Sequence, residues 1–190
     1  MNEWLIALAV VGGVILLALI WLVVIYNRFI HLRQHIRESW SDVDVELKRR
    51  YELIPNLVET VKGYAKHERE VLESVITLRN KAAESHGSAA SQAVDESAML
   101  LGLQRLFALA EAYPDLKANE NFLALQKELA LTEDRIAAAR RFYNANVREM
   151  NQLRGMFPTS LVASMFGFAE ASFFELDGAA ERVVPRVDLA

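Results

Sequence analysis

Residues 122–153 read FLALQKELALTEDRIAAARRFYNANVREMNQL. Within them Phe122, Leu125, Leu129, Thr132, Ile136, Ala139, Tyr143, Asn146, Met150 and Leu153 follow in steps of three and four. An α-helix completes a turn every 3.6 residues, so these side chains share one face. The seam persists for more than four heptads. A stripe of that length must be covered by other helices.

Working outward, three more intervals carry the same period. Phe29, Leu32, Ile36, Trp40, Val43, Leu47, Tyr51 and Ile54 form the first face. Leu57, Val61, Tyr64, Leu72, Val75 and Leu78 or Arg79 form the second, with Glu68 breaking the row. Met99, Leu100, Leu103, Leu106, Phe107 and Ala110 form the third. No segment alternates at period two, as a half-buried strand would. The fold class read from this pattern is all-α: an antiparallel four-helix bundle over roughly 28–53, 56–85, 90–112 and 119–155. Ser85-His86-Gly87-Ser88 and Tyr113-Pro114-Asp115 are turns, and Asn119 or Asp115 can cap the fourth helix. Pro55 removes the hydrogen bond to the Tyr51 carbonyl and disfavours helix at Ile54. We therefore expect it to open a second helix; the alternative is one long kinked helix packed by a hairpin.

Upstream, Trp4–Tyr26 runs for 23 residues without a charge. At 1.5 Å per residue it spans about 34 Å, enough for a hydrocarbon core of about 30 Å. Trp4 at one end and Trp21 and Tyr26 at the other suit the two interfaces. The leader Met1-Asn2-Glu3 lacks the basic start of a cleaved signal peptide, so a permanent anchor is expected. Arg28 and Arg33 follow the span, with His31 between them, and residues 1–3 hold no Lys or Arg. The positive-inside rule then places the bundle in the cytoplasm. Expected segments are a transmembrane anchor at 1–26, a helical bundle at 27–156 and an aromatic-rich C-terminal segment at 157–190. That last segment, with Phe157-Pro158 stopping the fourth helix, can cover its own bundle, touch lipid or meet a neighbouring subunit.

The chemistry is mostly one of exclusions. The chain has no cysteine, which removes disulfides and thiolate sites. Its 21 basic and 25 acidic residues argue against a nucleic-acid binder. No Gly-rich phosphate loop, nucleophile elbow or paired Glu-x-x-His motif is present. His31 and His35 share a helix face, but a pair at that spacing is weak evidence for a metal. His67 lies on a solvated stretch. No catalytic residue, metal or cofactor is expected. The Lys48-Arg49-Arg50 run lies about 33 Å along a helix from the span, beyond a Debye length of about 8 Å, so ion pairs with Asp42, Asp44 and Glu46 are expected instead. Asn144, Asn146 and Asn151 lie on or beside the seam, and buried amides need partners. We expect them to fix helix register, with the Tyr51 carbonyl as one acceptor.

The run from Arg37-Glu38-Ser39-Trp40 through Leu53-Ile54-Pro55-Asn56-Leu57-Val58-Glu59-Thr60-Val61-Lys62-Gly63-Tyr64 resembles the opening of the LemA family. Phe142-Tyr143-Asn144 with Asn151 and Phe157-Pro158 resembles its second block, and Val184-Pro185-Arg186-Val187 its closing motif. The resemblance implies a bacterial inner-membrane protein with one N-terminal helix and a helical bundle. It supplies no catalytic residues. Arg50, Pro55, Asn56, Tyr143, Asn144, Asn151 and Pro158 carry over as signature positions, to which packing and register are assigned together with Trp40, Asn146 and Phe157. The expected function is a self-associating scaffold that organises or remodels membrane, with the lipid bilayer and other copies of the chain as partners. The alternative is a signalling or protease-adaptor module that binds another membrane protein.

Overall fold

A computed structural model describes residues 2–85 and 87–176. Its helices are α1 (Glu3–Tyr64), α2 (Arg69–Ala83), α3 (Ala89–Glu111), α4 (Pro114–Lys117), α5 (Glu120–Gly155) and α6 (Thr159–Phe166). There is no strand among the described residues. The Val184–Val187 motif lies outside them.

The fold is all-α as expected, but Pro55 does not open a helix. α1 passes through it and continues to Tyr64. A helix-interior proline costs about 3 kcal/mol, in part because it orphans a carbonyl. Here the orphan is the Tyr51 carbonyl, and it accepts a hydrogen bond from Arg79 Nε at 3.0 Å. The boundaries near 53 and 56 are therefore corrected. The chain turns at Ala65–Glu68, where the Glu68 amide donates to the Ala65 carbonyl. Glu68, which interrupts the apolar row, marks that turn.

Helix starts follow local chemistry. Ser88 Oγ accepts from the Ser91 amide at the start of α3. Asn119 Oδ1 accepts from the Phe122 amide at the start of α5, which spares one of the first-turn donors.

The chain divides into two compact units. One comprises residues up to Glu38 together with Ala145–Ala171. Its core holds Ile25, Phe29, Leu32, Met150, Leu153, Val162, Ala163 and Phe168. The other comprises Ser39–Asn144 and the chain from Ser172. It is an antiparallel bundle of α2, α3, α1 from Ser39 and α5 to Asn144. The seam read from the sequence is buried at Phe122, Leu129, Thr132, Ile136 and Tyr143. Gly102 allows α3 to approach α2: a Cβ there would sit 2.8 Å from Leu78 Cδ1. In the first unit the seam continues through Met150 and Leu153, but Val147 is buried where Asn146 was expected.

Candidate functional site

The bundle unit has a charged core. Gln92, Glu96, Met99, Leu103, Leu106 and Ala110 keep the three-and-four step of a buried face, so α3 carries a glutamate directly into the interior. Glu96 is 0% exposed and Arg50, on α1, 1%. Arg50 Nη2 donates to Glu96 Oε2. Arg50 Nη1 donates to both oxygens of Glu133, on α5, at 2.8 Å. The Tyr51 hydroxyl donates to Glu96 Oε1, and Gln92 Nε2 donates to the same oxygen at 2.8 Å and to the Ala82 carbonyl at 2.9 Å.

Burial alone would lower the affinity of Arg50 for its proton, but Glu133 and Glu96 outweigh it and hold the pKa above the ordinary value. Burial and the neighbouring Glu96 likewise push the Tyr51 hydroxyl up. The guanidinium thus ties three helices through two carboxylates. Packing buries Arg50 and Glu96 and leaves Glu133 10% exposed, an arrangement that suits a structural lock.

The rest of the basic run divides. Lys48 pairs with Asp44 at 2.6 Å, as expected, but Arg49 reaches Glu128 on α5 and Arg50 turns inward. Neither pairs with Asp42, Asp44 or Glu46: Arg49 is taken by Glu128, and Arg50 by Glu96 and Glu133.

The asparagines hold the C-terminal chain, where packing between helices was expected. In the bundle unit Asn144 Nδ2 donates to the Phe174 carbonyl at 3.0 Å and Oδ1 accepts from the Phe174 amide at 2.9 Å. The Tyr143 hydroxyl donates to the Ser172 carbonyl at 2.8 Å, and burial raises its pKa. Phe174 is fully buried against the Trp40 ring, 5.5 Å between centroids. Tyr143 packs on the same indole at 5.2 Å.

In the other unit Asn151 repeats the motif on Ala171, donating at 2.9 Å and accepting at 3.0 Å. Arg154 Nε donates to the Phe168 carbonyl at 3.1 Å. A strap without regular structure leaves its backbone groups unpaired, and a side-chain amide supplies one donor and one acceptor together. Asn146 instead reaches the His35 carbonyl at 3.5 Å. The Tyr51 carbonyl receives Arg79 and no asparagine.

The other sequence-selected residues are placed as follows. Trp4 and Trp21 are exposed. Tyr26 packs on Phe166 and Phe168 at 4.8 and 5.8 Å. Arg28 pairs with Glu149 at 3.2 Å, Arg33 lies 5.9 Å over the Phe168 ring, and His31 is exposed. His35 faces Glu38 at 3.3 Å. Asn56 is exposed and its carbonyl accepts from the Thr60 hydroxyl at 2.8 Å. Phe157 and Pro158 are exposed ahead of α6. Among the described residues no three His, Asp or Glu side chains are grouped to hold a metal ion. α1 is the one helix among them long and apolar enough to cross a membrane.

These features define an all-α bundle protein with one candidate N-terminal membrane span, an internal ion-paired lock and an asparagine-held strap. The chain belongs to the LemA family, whose model matches residues 39–189. It is 27% identical over 175 residues to magnetosome protein MamQ 2 of Paramagnetospirillum magneticum, covering 79% of this chain and 64% of that protein. It is 26% identical over 149 residues to protein LemA of Metamycoplasma hominis, covering 78% of this chain and 68% of that one. The chain thus spans just under two thirds of the magnetosome relative's length.

Proposed function

We propose that the chain is a non-enzymatic scaffold of the bacterial cytoplasmic membrane, anchored by α1, which self-associates and organises or remodels the bilayer. The observation that carries this reading is the exposed, charge-free surface of α1. Leu5, Val11, Leu16, Ile20 and Val24 point outward around the helix and find no protein partner large enough to cover them. Self-association is supported on α5, where Leu131 and Phe142 are exposed eleven residues apart, three turns along one face. The charged core has no access for a substrate, which fits a structural role. Positive-inside logic puts the bundle on the cytoplasmic side.

Crosslinking in native membranes, followed by imaging of the detergent-extracted full chain, tests this. A strictly monomeric species at working concentration sinks the scaffold, and release from membranes by alkaline carbonate sinks the anchor. A second reading, an adaptor that presents the bundle to another membrane protein, draws on an open groove of about 920 Å³ between α1 and α2. Val58, Leu72 and Ile76 lie along it, with Lys62, Lys66 and Arg69 beside them. In that case pull-down recovers a stoichiometric foreign partner and few self-crosslinks.

A further inference from the structure

The anchor is not the chain's only long run without charge. Gly155–Ala169 is 15 residues without an Asp, Glu, Lys or Arg, bounded by Arg154 and Glu170. It contains the corner after α5, whose Phe157–Pro158 peptide is cis, and all of α6. Gly167 ends that helix in the left-handed region (φ 67°), a conformation that costs other residues about 1–2 kcal/mol. The Phe168 amide then bonds back to the Ala163 carbonyl at 2.9 Å.

α6 buries Val162 and Ala163 against Ile25, Phe29, Leu32, Met150 and Leu153. In a water-facing helix the opposite side would be polar. Here Leu161 and Met165 are 59% and 68% exposed, and Phe157, one further step of four back, is 80% exposed. Met156 is exposed beside it, and Phe166 is 44% exposed at the far end. Five large apolar side chains thus crowd one short uncharged element.

This surface adjoins the end of the charge-free run of α1. Phe166 packs edge-on against Tyr26, with centroids 4.8 Å apart. Tyr26 is the aromatic residue that closes the apolar run of α1, one residue before Asn27 and two before Arg28. The outward face of α6 is therefore continuous with the lipid-facing surface of the anchor at the level where the anchor leaves the hydrocarbon. Arg28, just beyond the charge-free run, pairs with Glu149, and Arg154, just before α6, donates to the Phe168 carbonyl.

We propose that α6 and the Met156–Phe157 corner lie in the headgroup–acyl boundary of the bilayer that α1 crosses, as a second, shallow membrane element confined to one leaflet. This rests on the anchor reading. Interfacial segments bury an apolar face in the headgroup–acyl boundary and turn a polar face to water; in α6 the second face is covered by the protein core instead of water. It also gives the scaffold a way to act on shape, since an element that expands one leaflet beside a fixed span favours curvature.

The full chain is cysteine-free, so single Phe157→Cys, Leu161→Cys and Met165→Cys variants accept a polarity-sensitive fluorophore at one site each. Labels at Val14→Cys in the span and at Val94→Cys, an exposed position of α3, serve as references. In vesicles of phosphatidylethanolamine and phosphatidylglycerol, labels at 157, 161 and 165 are expected to emit to the blue of the 94 label. They are also expected to be quenched by lipids with a shallow nitroxide and spared by aqueous iodide. Iodide quenching of all three while the 14 label stays lipid-quenched overturns this proposal and leaves the anchor intact. If the 14 label is itself iodide-accessible, the anchor has failed. Protection from both quenchers, with energy transfer between copies, assigns the face to a second copy and overturns the lipid assignment.

Discussion

Replacing Glu96 should expose how the bundle unit is held. Its carboxylate is fully buried and accepts from Arg50, Tyr51 and Gln92. In Glu96→Leu the Arg50 guanidinium keeps Glu133, but the buried Nη2 loses its acceptor, and the Tyr51 hydroxyl keeps the Gln92 amide donor at 3.1 Å and, as its one remaining acceptor, the Ala82 carbonyl at 3.3 Å. Removing one member of a buried ion pair costs about 3–5 kcal/mol, a large part of the 5–15 kcal/mol that holds a typical domain. Glu96→Gln keeps the shape and one acceptor oxygen. It loses the charge, so about 1–3 kcal/mol is expected. The informative variant is the double, Arg50→Met with Glu96→Leu. It strands no buried guanidinium; it does leave the Glu133 carboxylate without Arg50, but that side chain is 10% exposed and can be reached by water. It should therefore be less destabilised than Glu96→Leu alone. The assay is urea unfolding of the full chain in micelles, with Trp4 and Trp21 replaced by Phe so that Trp40, packed between Tyr143 and Phe174, reports on the bundle. Midpoints should move at constant slope. A loss below about 1 kcal/mol for Glu96→Leu, or a double variant as unstable as the sum of its singles, refutes the reasoning.

Three further outcomes follow from the same contacts. The folded state holds the Tyr51 hydroxyl proton more tightly than the unfolded chain, whose value is the ordinary 10.0. Stability is thus fully present below pH 10 and falls above it, by about 1.4 kcal/mol per pH unit for this group. Tyr51→Phe should remove that slope, and an unchanged alkaline profile counts against it. Asn144→Asp turns the donor to the Phe174 carbonyl into a second acceptor, keeps the bond from the Phe174 amide, and should cost about 1–3 kcal/mol for the carbonyl left facing an oxygen. Faster proteolysis around Phe174 and a red shift of Trp40 are the readouts. Arg79→Met should cost about 1.5–3 kcal/mol in the native background and less than half of that beside Pro55→Ala, where the Tyr51 carbonyl regains its helical partner. An additive cycle would mean that Arg79 does not serve that carbonyl.

Much of this was legible in the spacing of apolar residues. The α5 seam, the cap at Asn119 and the charge-free span each rest on local rules that tertiary packing does not override. The turn between α1 and α2 was visible as Glu68 in a row of apolar residues, but Pro55 is the stronger local signal and drew the boundary eleven residues too early. A proline inside a helix survives when a distant side chain takes the freed carbonyl, and Arg79 is 28 positions away. The charged core was hidden for a related reason. Glu96 keeps the core period of α3, yet charge at a core position is read as surface until its partners on α1 and α5 are known. The asparagines announced a need for partners. Backbone strapping could not be told from register fixing, because the strap has no periodicity of its own.

The C-terminal chain and α1 raise one physical question: how a single 62-residue helix carries both a candidate membrane span and a core-forming stretch without a break. A helix satisfies its backbone hydrogen bonds internally, so passage from hydrocarbon to water requires no change of backbone. What changes is the width of the apolar surface. Up to Val24 the side chains are apolar around the whole circumference and nearly all exposed. From Ile25 the apolar residues narrow to a stripe through Phe29 and Leu32, while Arg28, His31 and Arg33 occupy the rest. Each residue of that stripe is covered by something from the chain's end: Met150, Leu153, Val162 or Phe168. Covering begins within a turn of where the charge-free run stops. The same few residues of α1 therefore mark the end of the candidate membrane span and the start of the protein's own core. That coincidence leaves α6 with one face in the core and the other exposed, with Phe166 against Tyr26 at the end of that span.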